Sequence, residues 1–192
     1  MTSAAVSQSP SFLRSPFAHF KELNLHAATL DTLLSQDTTF FKKLGTWGWG
    51  LCYAVVVDSQ HAYIGNGMMF QVLNALIPGT PVIVGELAVE NEITCIFVRG
   101  TYAYVTNTSG FLIIDISNAT FPRQVASLAL SGLTMGVSVQ GLVAYVGTYS
   151  GRLVSIDITD PSNPRVLGSI STGIERVNLI APKDSLVYSL RV

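Results

Sequence analysis

Three segments of this chain return at a constant interval. Ala62-Tyr63-Ile64, Ala103-Tyr104-Val105 and Ala144-Tyr145-Val146 are spaced 41 residues apart at both steps. Behind each lies a second apolar run, at Phe70–Asn74, Phe111–Asp115 and Leu153–Asp157, and then a turn with proline at Pro81, Pro122 or Pro164. A third run follows, at Val82–Leu87, Val125–Leu128 and Val166–Ile170. A further short run precedes each Ala-Tyr pair, at Ala54–Val57, Cys95–Val98 and Gly136–Val139. The third copy carries one extra residue between its Tyr and its Asp. The runs are rich in β-branched and aromatic side chains, which suit a pleated, half-buried surface. One unit is therefore four strands. A lone four-stranded sheet leaves both faces wet, whereas radial stacking of such sheets buries both. About 40–45 residues is the length of one propeller blade. The expected fold is all-β, a β-propeller of four-stranded blades; three in-phase copies argue against a sandwich with coincidental similarity.

The strand endings carry a resemblance. Leu112-Ile113-Ile114-Asp115-Ile116-Ser117 and Leu153-Val154-Ser155-Ile156-Asp157-Ile158, the second followed by Asp160-Pro161-Ser162-Asn163-Pro164, resemble the LVIVD-repeat family of bacterial and archaeal β-propellers. The first copy departs from the pattern: Val72-Leu73-Asn74-Ala75 has Asn in place of Asp, and its turn is Ile77–Pro81. Tyr104-Val105-Thr106-Asn107 is similar to the name motif of the related YVTN-type surface-protein propellers. The resemblance covers about residues 40 to 191. It implies the propeller fold and an extracellular or cell-surface setting, but little about activity, because propellers host unrelated functions. It also implies that two loop types open on one face, around a central channel: those from outermost to next innermost strand, and those from second to third strand. Tyr53, Thr94, Met135 and Arg176 then take equivalent places at the channel entrance, and Tyr149 lies in the second loop type.

Composition narrows the functional classes. Of 192 residues, 48% are hydrophobic and only 12% charged, which suits sheets buried on both faces. A net charge of −1 gives no electrostatic footprint for nucleic acid or an anionic membrane. No apolar run reaches the ~18–20 residues of a membrane span. The first 15 residues hold one Arg and no sustained apolar segment, so no signal peptide is visible.

Residues 1–15 are Ser-, Ala- and Gln-rich and are expected to be disordered. Ser15-Pro16 is a helix-start signal, and Phe17, Phe20, Leu23, Ala27, Leu30 and Leu34 form an apolar stripe at helical spacing. This predicts a helix over 16–35, with a linker to 39; the alternative is a decayed blade with Leu30–Ser35 as its third strand. Phe40–Thr46 aligns with the outermost strands. Full blades are expected at about 54–87, 95–130 and 136–171, followed by an innermost strand at Val177–Ile180 and a partner at Leu186–Leu190. Propellers usually close with four to eight blades. The N-terminal outermost strand and the C-terminal strands could share a fourth blade and close a small ring. The preferred expectation is a piece of a longer propeller, with open blade edges that invite self-association.

Few residues point to chemistry. Trp47 and Trp49, in Gly45-Thr46-Trp47-Gly48-Trp49-Gly50, are the only tryptophans and sit on the expected binding face. Such rings stack on sugars or anchor partners; equally, they could pack beneath the N-terminal helix. Asp115 and Asp157 recur where the third strand ends and read as acceptors for turn N–H groups, a role Asn74 can fill. Cys52 and Cys95 do not align with each other and read as two small buried thiols rather than a disulfide or metal pair. His19, His26 and His61 do not converge with carboxylates. Glu90, Glu92 and Glu175 could together hold Ca²⁺ but read as a solvated rim. No other cofactor is suggested. Asn107-Thr108-Ser109 and Asn118-Ala119-Thr120 fit the glycosylation sequon. The sequence therefore favours a non-catalytic module that binds protein or glycan through one face, at Trp47, Trp49, Tyr53, Thr94, Met135, Tyr149 and Arg176. Its rivals are a lactonase-like hydrolase whose site lies in blades outside this chain, and a fragment with no function of its own.

Overall fold

The structure is a computed structural model that describes residues 52–77, 80–184 and 186–190. The helix expected over 16–35, the strand at Phe40–Thr46, and Trp47 and Trp49 lie outside the described residues. Among the described residues every regular element is a strand.

Three antiparallel four-stranded sheets follow the repeat. The first holds β1 (Cys52–Asp58), β2 (His61–Asn66), β3 (Met69–Asn74) and β4 (Val82–Ala88), paired in sequence order. The second holds β5 (Ile93–Arg99), β6 (Tyr102–Asn107), β7 (Gly110–Asp115) and β8 (Arg123–Ala129). The third holds β9 (Thr134–Gln140), β10 (Val143–Thr148), β11 (Arg152–Asp157) and β12 (Arg165–Ser171). A fourth sheet is a hairpin of β13 (Leu179–Lys183) and β14 (Leu186–Leu190). These are propeller-like blades; the described residues do not include a closed ring. The expected innermost strand at Val177–Ile180 is displaced: β13 begins two residues later.

Alternation along each strand sends one set of side chains to each face, and in the second blade both faces find a partner blade. Ala54, Tyr63, Phe70 and Val72 of the first blade meet Ile93, Ile96, Ala103, Val105, Leu112 and Ile114 of the second. The opposite face of the second blade, with Tyr104, Phe111 and Ile113, meets Val137, Ala144, Val146, Val154 and Ile156 of the third. Phe70, Phe111, Ile113 and Ile114 are fully buried, and each contributes roughly 1.5–3 kcal/mol. The side chains at 112–114 therefore face opposite ways into two cores, which is why that run is continuously apolar rather than alternating.

The blades are regular in their irregularities. The tight turn between first and second strand carries a left-handed residue at Ser59, Gly100, Gly141 and Asp184. Those positions step by 41, 41 and then 43 residues. Asp115 Oδ1 accepts the backbone N–H of Ser117 at 2.9 Å, and Asp157 Oδ1 accepts that of Thr159 at 2.9 Å. Asn74 Oδ1 accepts the N–H of Leu76 at 3.0 Å, so Asn does fill the same turn role in the divergent copy. Arg123 adds an ion pair to Asp115 at 3.0 Å. Hydrogen bonds from Ser117, then the Arg123 guanidinium, hold the Asp115 carboxyl below its ordinary range. Because the folded value is depressed, Asp115 contributes stability above the usual aspartate range, and that contribution is lost as pH falls below it.

Two predictions follow from this packing. A Cβ on Gly136 would collide with the main-chain carbonyl of Asn178, whereas one on Gly168 would meet only Ser155 Oγ at 3.9 Å. Gly136→Ala should therefore lower Tm by about 4 °C or more and Gly168→Ala by much less, as read by calorimetry. Asp115→Asn should keep most of the stability at neutral pH and flatten the loss of Tm between about pH 5 and pH 3; an unchanged acid profile would show that Asp115 is not one of its sources.

Candidate functional site

The sequence-predicted site residues occupy one kind of position. In the first blade Cys52 pairs with Asn66 and Ala54 with Gly65, so Tyr53 is the extra residue of a β-bulge. In the second, Ile93 pairs with Asn107 and Cys95 with Thr106, leaving Thr94 in the bulge. In the third, Thr134 pairs with Thr148 and Gly136 with Gly147, leaving Met135. A bulge bends its strand and re-aims one side chain. Three blades thus re-aim the same position at the start of the innermost strand.

The fourth position is Asn178, not Arg176. Ile93 and Thr134, the residues before the bulge, are fully buried, and the next fully buried residue of this type is Val177. Ile93 packs against Gly65, and Val177 against its equivalent, Gly147. The residue after Val177 therefore matches Thr94 and Met135. Two single-residue insertions explain the shift. One lies in the turn Tyr149–Gly151 and is visible in the sequence; the other lies in the connection between Ser171 and Val177.

Tyr53, Thr94, Met135 and Asn178 line one cavity of about 440 Å³, together with Glu92, Cys95, Thr108 and Leu133. Four blades supply its wall. Thr94 Oγ1 donates to Thr106 Oγ1 at 3.0 Å. Asn178 Oδ1 is buried with no hydrogen-bond partner among the described residues. The loops around the cavity are tied to one another through the backbone. Ile93 N–H donates to Gly67 O at 2.9 Å, Thr108 N–H to Glu92 O at 3.0 Å, and Tyr149 N–H to Leu133 O at 2.8 Å. The two loop types therefore share one face.

Arg176 and Tyr149 stand beside the cavity rather than in its wall. The Arg176 guanidinium lies 5.0 Å from the Tyr149 ring centroid and donates to its hydroxyl at 3.0 Å. The Arg176 N–H also donates to the Tyr149 carbonyl at 2.9 Å. These bonds hold Arg176 at φ 59°, a left-handed conformation uncommon for a side-chain-bearing residue.

Other expectations resolve as follows. Cys95 is partly buried, in the cavity wall, and burial pushes its thiol up. Cys52, expected to be buried, is exposed. Its equivalents Ile93 and Thr134 are buried against the preceding blade, and no blade precedes Cys52 among the described residues. Both thiols are free, with no disulfide between them. Glu90, Glu92 and Glu175 do not gather as a calcium site: no group of three His, Cys, Asp or Glu is placed to hold a metal among the described residues. Asn107 of the first sequon is buried, and its side chain accepts from Ser109 N–H at 3.0 Å, so it is not placed to carry a glycan. The Tyr104–Asn107 motif is instead structural, since Thr134 Oγ1 donates to the main-chain carbonyls of Asn107 and Gly110 and binds the third blade to the second. No helix among the described residues is long and apolar enough to cross a membrane.

Sequence comparison finds the LVIVD repeat at residues 94–129 and 131–172, which are the second and third blades. No curated protein matches the chain. Among solved structures, the computationally designed Ika4 protein matches with a TM-score of 0.63 and 13% identity, over 78% of this chain and 92% of that one. The computationally designed Ika8 protein matches with a TM-score of 0.60 and 15% identity, over 72% of this chain and 42% of that one. This chain thus spans less than half the length of Ika8. Both likenesses concern the fold alone.

The exposures of the two thiols give a direct check. Cys52 should react with iodoacetamide at neutral pH several-fold faster than Cys95, as measured by peptide mass spectrometry. Equal rates would contradict the placement of Cys95 in the cavity wall.

Proposed function

We propose that this chain, whose second and third blades are LVIVD repeats, is a non-catalytic interaction module that binds protein or glycan through the face carrying the cavity. One observation supports this reading above the others: the bulges of successive blades converge Tyr53, Thr94 and Met135 on one space, with Asn178 as the fourth member. Bulges at the same place in each blade are a device for aiming side chains, and stability alone gives no reason to aim four unlike residues at one point. The wall mixes an aromatic ring, a thioether and amide or hydroxyl groups, the composition of a recognition pocket. It brings no nucleophile–base pair together: the cavity's thiol is raised rather than activated, and no His lines it among the described residues. Tyr53 is 59% exposed and offers a ring to a ligand from outside. The cell-surface or extracellular setting implied by the resemblance fits a partner met outside the cell.

The test is ligand selection on glycan and displayed-peptide arrays with wild type, Met135→Arg, and Val166→Arg on β12. The reading predicts at least one ligand whose retention falls about tenfold or more in Met135→Arg and is unchanged in Val166→Arg, with similar Tm for all three proteins. Ligands indifferent to Met135→Arg would overturn it. So would turnover of a lactone or ester that chelation abolishes, which would restore the hydrolase alternative.

A further inference from the structure

The wall of the cavity has a consistent electrostatic sense. Glu92 supplies a carboxylate and Tyr53 an aromatic face. Leu133 and Met135 supply apolar surface. Among the described residues no Lys, Arg or His lines the space; the nearby Arg176 is engaged by Tyr149. An anion entering the cavity would meet the Glu92 carboxylate without a compensating cation. A cation with an apolar stem would meet a carboxylate, a π face and a thioether. The volume of about 440 Å³ falls within the range of small-molecule sites.

We infer that the cavity binds an ammonium group carried on an apolar stem, either as a free small molecule or as the side chain of a lysine. The inference rests on the proposed function for its choice of face, and adds the chemistry of what is bound there. Glu92 pairs with the charge, Tyr53 covers it, and Leu133 and Met135 hold the stem.

Titration calorimetry of the full chain with phenethylamine, phenethyl alcohol and hydrocinnamate varies the head group on one kind of stem. Nα-acetyl-lysine N-methylamide tests the lysine source. At least one amine is expected to bind saturably, with the alcohol and the carboxylate about tenfold weaker or more. Glu92→Gln should weaken that amine about tenfold and leave the alcohol unchanged, whereas Glu90→Gln, beside a separate cleft, should change neither. Bound amine should also slow alkylation of Cys95 but not of Cys52. Preference for phenethylamine would identify a free ligand, and preference for the lysine derivative a partner side chain; both support the inference. Equal binding of the alcohol, no saturation by about 10 mM, or indifference to Glu92→Gln would overturn it. If the amines fail while a ligand sensitive to Met135→Arg exists, the binding face stands and only its ammonium chemistry falls.

Discussion

Burial of apolar blade faces against neighbouring blades is the constraint on which the rest of this structure depends. A four-stranded sheet whose two faces are both apolar has no stable existence alone. The second blade meets this need on both sides, with Ile114 and Leu112 in one core and Ile113 and Phe111 in the other. Packing so close leaves no room for a side chain where an innermost strand crosses its neighbour. That is why Gly65 faces Ile93, Gly147 faces Val177 and Gly136 faces the Asn178 carbonyl. The same stacking forces the starts of the innermost strands toward one another. There a bulge in each of three blades converts a packing position into an aimed side chain. The cavity is thus a by-product of the stacking that the bulges turn to use.

The blade boundaries were legible in the sequence because turn chemistry and strand pattern repeat together. Tyr63, Tyr104 and Tyr145 occupy the same place in the second strand of their blades. The turn role of Asp115 and Asp157 was legible for the same reason, and Asn74 showed that the position needs an acceptor rather than a charge. The resemblance alone puts Tyr53, Thr94 and Met135 at equivalent places; the register adds that each is the extra residue of a bulge. Asn178 was missed because the second of the two insertions, in the connection after β12, leaves no mark in composition; the burial of Val177 reveals it. The left-handed turn residues could have shown it, since Asp184 lies 43 residues beyond Gly141 rather than 41. Cys52 was misplaced because the burial of its position comes from the blade before it, as Ile93 and Thr134 show, and the strand's own residues do not reveal whether that neighbour is there.

Tyr53, Thr94, Met135 and Asn178 differ in chemistry, while the last three have similar surroundings. Ile93, Thr134 and Val177 are fully buried just before those three, and Ala54, Cys95 and Gly136 are small just after Tyr53, Thr94 and Met135. A repeat protein can vary such a position with little effect on its core, because the bulge residue is left out of the strand pairing and its side chain is re-aimed. This separation of scaffold from variable position is what lets one architecture carry unrelated functions.

The central claim is that residues from different blades share one space. Nuclear Overhauser contacts of the Met135 methyl group, recorded on selectively labelled protein, test it most directly. The account predicts contacts from this methyl to at least one of Thr94 and Asn178, which lie in neighbouring blades. Contacts confined to residues of its own blade, β9 to β12, would contradict the convergence and with it the cavity as a binding site.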